Sequence, residues 1–319
     1  MLRHSYTYAP SYAYPSEDSD LIDDVLISIV SDQRCLVSKG VIYSGLDAIG
    51  ESAGHIEQWR LPGYNIERGV VGDCHWSRGD NMLCVAIGLS DEQCKHIASG
   101  TERAYCQLLD TANGLGFKHL LRFWNYLPAI NQGDGDGELY KQFCLGRHKA
   151  FVKHQVSAGD YPSASALGHH SKGAVIFGFV SNQPGQHIEN PAQVSAYKYP
   201  REYGPKSPSF ARATMSNSSS AQPRLFVSGT ASVLGCNTVA IGDINAQLLV
   251  TVENLEKLIA KAGNARLHSL KVYIREVADF TVVAEYLNSR YPGVIKLYTH
   301  ADVCRTNLLV EMEGLGYGQ

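Results

Sequence analysis

No two of this chain's eight cysteines stand in a CxxC arrangement; they fall at 35, 74, 84, 94, 106, 144, 236 and 304. That scatter excludes a zinc ribbon and a secreted disulfide scaffold, and makes a reducing cytoplasm the expected setting. Charge of one sign is equally scarce. A net charge of −3 over 319 residues supplies no field to gather nucleic acid or an anionic membrane, so any anion site has to be local. No apolar run reaches the length of a membrane span, and MLRHSYTYAPSYAYPSEDSD lacks the apolar stretch of a signal peptide. GxSxG, P-loop and dinucleotide fingerprints are missing too. DGDGE at 134–138 lacks the further ligands of a calcium loop and reads as a turn opening a helix. His169 and His170 have no third ligand at metal spacing and read as exposed.

What is present is an ordinary globular composition, 44% hydrophobic and 18% charged, in a 34.9 kDa chain long enough for two domains. Residues 1–20 read as an extended tail. Leu26–Val30 and Cys35–Tyr43 read as a hairpin across 31–34, and Ala48–Asp80 as a glycine-rich loop anchored by Trp59 and Trp76. Met82–Leu89 is a buried strand stopped by Ser90, a helix N-cap. A helix to about Asn113, a strand at His119–Leu127 and a helix from Glu138 to about Gln155 follow. The second half repeats this order. Strands are expected at 173–180, 193–197, 223–230, 270–275, 294–298 and 308–313, with helices after Asp243 and from Asp279. A helix–glycine–strand echo links 108–127 with 258–277. The expectation is α+β, with domains 1–155 and 156–319, each a sheet backed by helices.

One segment fits neither period. Glu189–Thr214 interleaves Tyr197, Tyr199 and Tyr203 with Lys198, Arg201, Lys206 and Arg212, and four prolines stiffen it. It reads either as a ligand-binding strap for a small carboxylate-rich molecule or as a packed cover over a sheet edge. Near the C-terminus, period-2 alternation in LLVEMEG puts Glu311 and Glu313 on one face. On a solvated face they are surface acids; in a pocket, burial would raise a carboxyl pKa and make it a general acid. Cys304 lies near the turn before that strand, beside Arg305. Arg275 ends another strand, where it serves a ligand or a surface ion pair with Glu276 or Asp279. Ser228-Gly229-Thr230 could offer backbone N–H groups to an anion.

LFVSGTASV (225–233), NLEKLIAKAG (254–263), VYIREVADF (272–280) and VEMEG (310–314) resemble the RidA/YjgF superfamily. With RFWNYLPAIN (122–131), FCLGRHKAF (143–151), YPSASALG (161–168), the 189–214 block and CRTNLLVEMEG (304–314), the whole chain resembles the chorismatases, residues 1–80 least. The resemblance implies two RidA/YjgF-like layers, the N-terminal one degenerate, and cleavage of chorismate to pyruvate and a cyclic acid without a cofactor. It maps the family's acid onto Glu311. It places Cys304 seven residues earlier, as in the hydroxybenzoate-forming branches, which favours 3-hydroxybenzoate with 4-hydroxybenzoate as a co-product. Tyr203, Arg212, Gly229, Thr230, Arg275 and Arg305 are the expected substrate contacts, with Arg147 and Lys206 in reserve. A homotrimer is implied by analogy. A dihydrodiol-forming hydrolase, an imine deaminase and a metabolite-binding protein are the alternatives.

Overall fold

A computed structural model describes residues 2–8, 23–38, 40–217 and 222–318. Two seven-stranded mixed sheets dominate it, with a five-stranded sheet alongside. The first large sheet runs in the order Asp302–Val303, Ser163–His169, His119–Pro128, Ala174–Ser181, Met82–Leu89, Cys74–Gly79, Glu67–Val71. The second runs Asp47–Ala48, Ile295–His300, Arg266–Ile274, Val310–Tyr317, Arg224–Ala231, Ala213–Ser216, Gly185–Ile188. The two orders correspond strand for strand, down to the single parallel pair in each. Each sheet takes its short outermost strand from the other half of the chain. The echo between 108–127 and 258–277 is therefore the trace of a repeated topology.

Local chemistry sets the helices. Ser90 and Gln93 form a capping box ahead of Asp91–Lys95, and Asp243 accepts from the Ala246 N–H at the start of Ile244–Lys261. Helices Ile97–Gly114 and Leu139–Lys153 bury Leu108, Phe143 and Phe151 against the first sheet. Helices Ile244–Lys261 and Phe280–Arg290 bury Leu248, Leu255 and Leu287 against the second. The opposite sheet faces meet one another and the small sheet around Trp59, Trp124, Phe177, Phe179 and Phe226. This is the expected α+β layering.

Several local expectations are corrected. Arg3–Tyr8 is a strand, paired antiparallel with His55–Arg60, while residues 9–22 lie outside the described residues. The hairpin joins Cys35–Ser38 to Val41–Ser44, and Val25–Val30 pairs parallel with the latter, which buries both apolar strands inside the small sheet. Residues 48–80 hold three strands of four or more residues, His55–Arg60, Glu67–Val71 and Cys74–Gly79, whose glycines and charges disguise them. Residues 193–197 form no strand; the strand after Pro184 is Gly185–Ile188. Residues 163–181 pair into the first sheet, so the chain passes between sheets at 182–184, later than the 155/156 division. No helix among the described residues is long and apolar enough to cross a membrane.

Candidate active site

A cavity of about 420 Å³ opens where the two large sheets meet, within the usual size range for small-molecule sites. The 189–214 segment is its outer wall: two short 3₁₀ turns, Ala196–Lys198 and Arg201–Tyr203, set in irregular chain. Tyr199, Tyr203, Phe210 and Arg212 line the cavity from it. The strap is both a packed cover, with Ala196, Tyr199 and Arg212 buried, and a wall of the cavity; Lys206 is exposed and lies away from the cavity.

Glu311 lies at the cavity's inner end. Pleating of Val310–Tyr317 turns Val310 and Met312 toward the helices, leaving Glu311 and Glu313 on the face between the sheets. Both are buried, 5% and 7% exposed, so neither is a surface acid. Their surroundings then diverge. Glu313 accepts hydrogen bonds from Arg122 Nη2 at 2.5 Å, Trp124 Nε1 at 2.7 Å and Ser165 Oγ at 2.7 Å. Glu311 receives no hydrogen bond from a described side chain and borders the cavity. Burial, and next the charge of Glu313, push its pKa up to about 8, against the opposing pull of Arg122 and Arg212. A carboxyl with its pKa raised to about 8 and bordering a cavity is chemically able to give a proton to a molecule bound there.

Gly229 makes room for it. A Cβ on Gly229 would stand 2.0 Å from Glu311 Oε1, so a bare backbone lets the carboxyl lie across the Arg224–Ala231 strand. The expected anion-binding role of the Ser228–Thr230 backbone does not hold. Ser228 N–H donates to the Arg212 carbonyl, Gly229 N–H to Ser165 Oγ at 3.0 Å, and Thr230 spends its hydroxyl on the Ser228 carbonyl. Thr230 is also absent from the cavity wall.

Cys304 lines the cavity from the bend after Asp302–Val303. Burial, then the nearby Glu311, push its thiol up to about 12, so it lines the pocket as an uncharged thiol. Arg275, expected as a substrate contact, does not line the cavity. Its guanidinium pairs with Asp302 and donates to the carbonyls of Leu308, Val303 and Arg305 and to Asn131 Oδ1. It clamps the loop that presents Cys304 and Arg305, with Asp302 rather than Glu276 or Asp279 as its ion partner. Arg305 borders the cavity, stacked 4.3 Å from the Tyr203 ring, with Nη1 donating to the Cys236 carbonyl and Thr238 Oγ1. Tyr203 donates to Asn237 Oδ1 at 3.0 Å.

Two buried arginines line the cavity with no carboxylate hydrogen-bonded to their guanidinium groups among the described residues, although the Arg212 backbone N–H donates to Glu189 Oε1 at 3.3 Å. Arg212 Nη2 donates to Tyr199 Oη at 2.6 Å and to the Val194 carbonyl, while its Nε has no partner. Arg147, on Leu139–Lys153, is 2% exposed and packs 5.0 Å over Phe143, its Nε likewise unpartnered. Buried cations left unpaired are costly unless a bound anion supplies the missing charge. Sequence reasoning missed Arg122 and Ser165; a lone arginine inside the apolar run LLRFWNYL was the available signal. It also misplaced His169, which is buried with Nε2 3.2 Å from Cys35 Sγ.

Comparison with known proteins bears on this arrangement. The family profile described as chorismatase FkbO/Hyg5-like, N-terminal, matches residues 57–181. The chain is 35% identical over 284 residues to a chorismatase of Streptomyces rapamycinicus, covering 83% of each. It is 36% identical over 233 residues to a 3-hydroxybenzoate synthase of Streptomyces hygroscopicus, covering 67% of this chain and 68% of that one. A solved chorismatase structure is similar at TM-score 0.86 and 28% identity, over 99% of this chain and 98% of the other.

Proposed function

This chain belongs to the chorismatase family, and we propose that it cleaves chorismate to pyruvate and 3-hydroxybenzoate with Glu311 as the general acid. The observation that carries the reading is the contrast on the last strand: Glu313 is fully hydrogen-bonded, whereas Glu311 is a raised-pKa acid bordering the cavity.

Chorismate carries a ring carboxylate and an enolpyruvyl carboxylate. Arg147 and Arg212, each buried with an unpartnered Nε, are suited to receive them, and Arg305 stands at the cavity wall as a third cation. With the substrate so held, the Glu311 proton passes to the terminal methylene of the enol ether, giving an oxocarbenium ion and a Glu311 carboxylate. The bond from the ring carbon to the enolpyruvyl oxygen then breaks, so that pyruvate leaves with that oxygen as its ketone, while the neighbouring ring hydroxyl closes on the vacated carbon and gives its proton to Glu311; the resulting epoxide opens and aromatises to the hydroxybenzoate. Pyruvate and hydroxybenzoate together hold all the atoms of chorismate, so this route consumes no water. A dihydrodiol would require one water, and the apolar side of the cavity, with Phe210, Ala231 and the neutral Cys304 thiol, disfavours its entry. Cys304 is assigned to shaping the pocket around the ring, with 4-hydroxybenzoate as the product expected if that guidance is imperfect.

Incubating the pure protein with chorismate and separating the products tests this. Pyruvate with 3-hydroxybenzoate is expected. A non-aromatic dihydrodiol would overturn the branch assignment, and unaltered chorismate would overturn the reaction itself.

A further inference from the structure

We propose that Glu313 is a positioning residue: a carboxylate locked by Arg122, Trp124 and Ser165 that keeps a fixed negative charge beside Glu311 and so holds Glu311 in its proton-donating form. This rests on Glu311 being the acid.

The geometry is built for that task. Glu311 and Glu313 lie two residues apart on one strand face, roughly 7 Å by the strand rise. Glu313 is pinned by three hydrogen bonds to residues of the first sheet, Arg122 and Trp124 on His119–Pro128 and Ser165 on Ser163–His169. It cannot swing away or be replaced by water. Ser165 Oγ also accepts from Arg122 Nη2 and from Gly229 N–H, so one hydroxyl ties the carboxylate to the backbone over which Glu311 lies. A single cluster thereby fixes both the charge and the floor beneath the acid.

The surrounding charges leave Glu313 as the anion that acts on Glu311. Across the second sheet, Lys271 pairs in register with Glu313, yet its ammonium is held by Glu57 at 2.7 Å and by Tyr126 Oη at 3.1 Å. Tyr273, in register with Glu311, is a neutral phenol at 3.2 Å from Tyr126 Oη. From the first sheet comes Arg122, from the strap Arg212 and Glu202, from the helix Leu139–Lys153 and its start Arg147, Lys141 and Glu138, and from the 304–308 loop Cys304 and Arg305. Of the surrounding carboxylates, only Glu313 bears on the titration of Glu311. The cations would ionise Glu311 if unopposed; burial and Glu313 outweigh Arg122 and Arg212. At this separation an unscreened buried charge shifts a neighbour's titration by about one to two pH units.

The test measures the alkaline limb of the pH profile of kcat/KM for chorismate, together with the carboxyl carbon resonance of Glu311 in protein labelled with 13C-glutamate. Glu313→Gln, nearly isosteric but neutral, is expected to move both downward by about one to two pH units. Glu313→Asp, shorter but charged, is expected to leave both near the wild-type position. A purely structural role predicts the reverse, with Gln tolerated better than Asp and neither titration displaced. Should Glu313→Gln strand the Arg122 cation and fail to fold, the double variant Arg122→Gln/Glu313→Gln removes both charges and is expected to move the limb downward by a smaller amount. An unmoved limb and resonance in the variants that fold overturn the inference. Normal turnover in Glu311→Gln would instead overturn the acid assignment, so the two failures are separable.

Discussion

Gly229 and Glu311 share one space: the position of a Cβ on Gly229 falls 2.0 Å from Glu311 Oε1 and 2.7 Å from its Cδ. The acid's placement over the neighbouring strand therefore depends on a residue that contributes no side chain.

Gly229→Ala is expected to preserve the fold and lower kcat by about 100-fold, because displacing a reacting group by about an ångström costs that much. The strand already holds Gly229 in a sheet conformation open to any residue, and the methyl clashes with a side chain rather than with backbone. Circular dichroism with steady-state kinetics checks it; wild-type turnover would show that Glu311 can act from elsewhere.

A donor acid works only while protonated. With Glu311 raised to about 8, kcat/KM is expected to be flat through neutral pH and to fall tenfold per unit above about pH 8. In Glu311→Gln the activity itself should disappear at every pH. A wild-type limb near pH 5 would mean that the acid is in fact ionised at neutrality.

The same shift has a cost in stability. Below the unfolded value of 4.5 both states hold the proton and Glu311 contributes nothing. Between 4.5 and about 8 the unfolded chain releases a proton that the folded chain retains, so stability falls as pH rises, then levels off. Glu311→Gln should remove this penalty. Allowing for solvent in the cavity, the variant is expected to be about 1–3 kcal/mol more stable than wild type at pH 8 and equal to it near pH 4. Denaturant melts at the two pH values decide this.

Arg275 holds the 302–308 loop through one ion pair and three carbonyls. Arg275→Met is expected to cost about 2–4 kcal/mol and to release Cys304 and Arg305 from register. Products should then scatter between 3- and 4-hydroxybenzoate. Arg275→Lys restores the charge without the planar fork and should recover stability only in part.

Arg147 behaves oppositely, since no described carboxylate depends on it. Arg147→Met is expected to leave the empty protein at least as stable as wild type while raising KM by about 10- to 100-fold. Thermal shift with and without chorismate separates the two effects; a destabilised empty protein would mark Arg147 as a packing residue.

Local pattern was enough to locate much of this. Met82–Leu89 and Arg224–Ala231 are apolar runs that form strands in any compact fold, and Asp243 caps its helix through an atom three residues away. The alternation in LLVEMEG places both glutamates on one face because the pleat has period two. What the alternation leaves open is which glutamate is held by hydrogen bonds and which borders the cavity without them. That depends on Arg122, 191 residues from Glu313 in sequence, reaching across from the other sheet. Arg275 is tied to the 302–308 loop by Asp302 in the same way; Glu67–Val71 and Cys74–Gly79 add to the edge of the first sheet, and His55–Arg60 is held between two strands of the small one. Periodicity encodes the face a side chain takes; the charge it meets there is set by whichever distant strand packs against it.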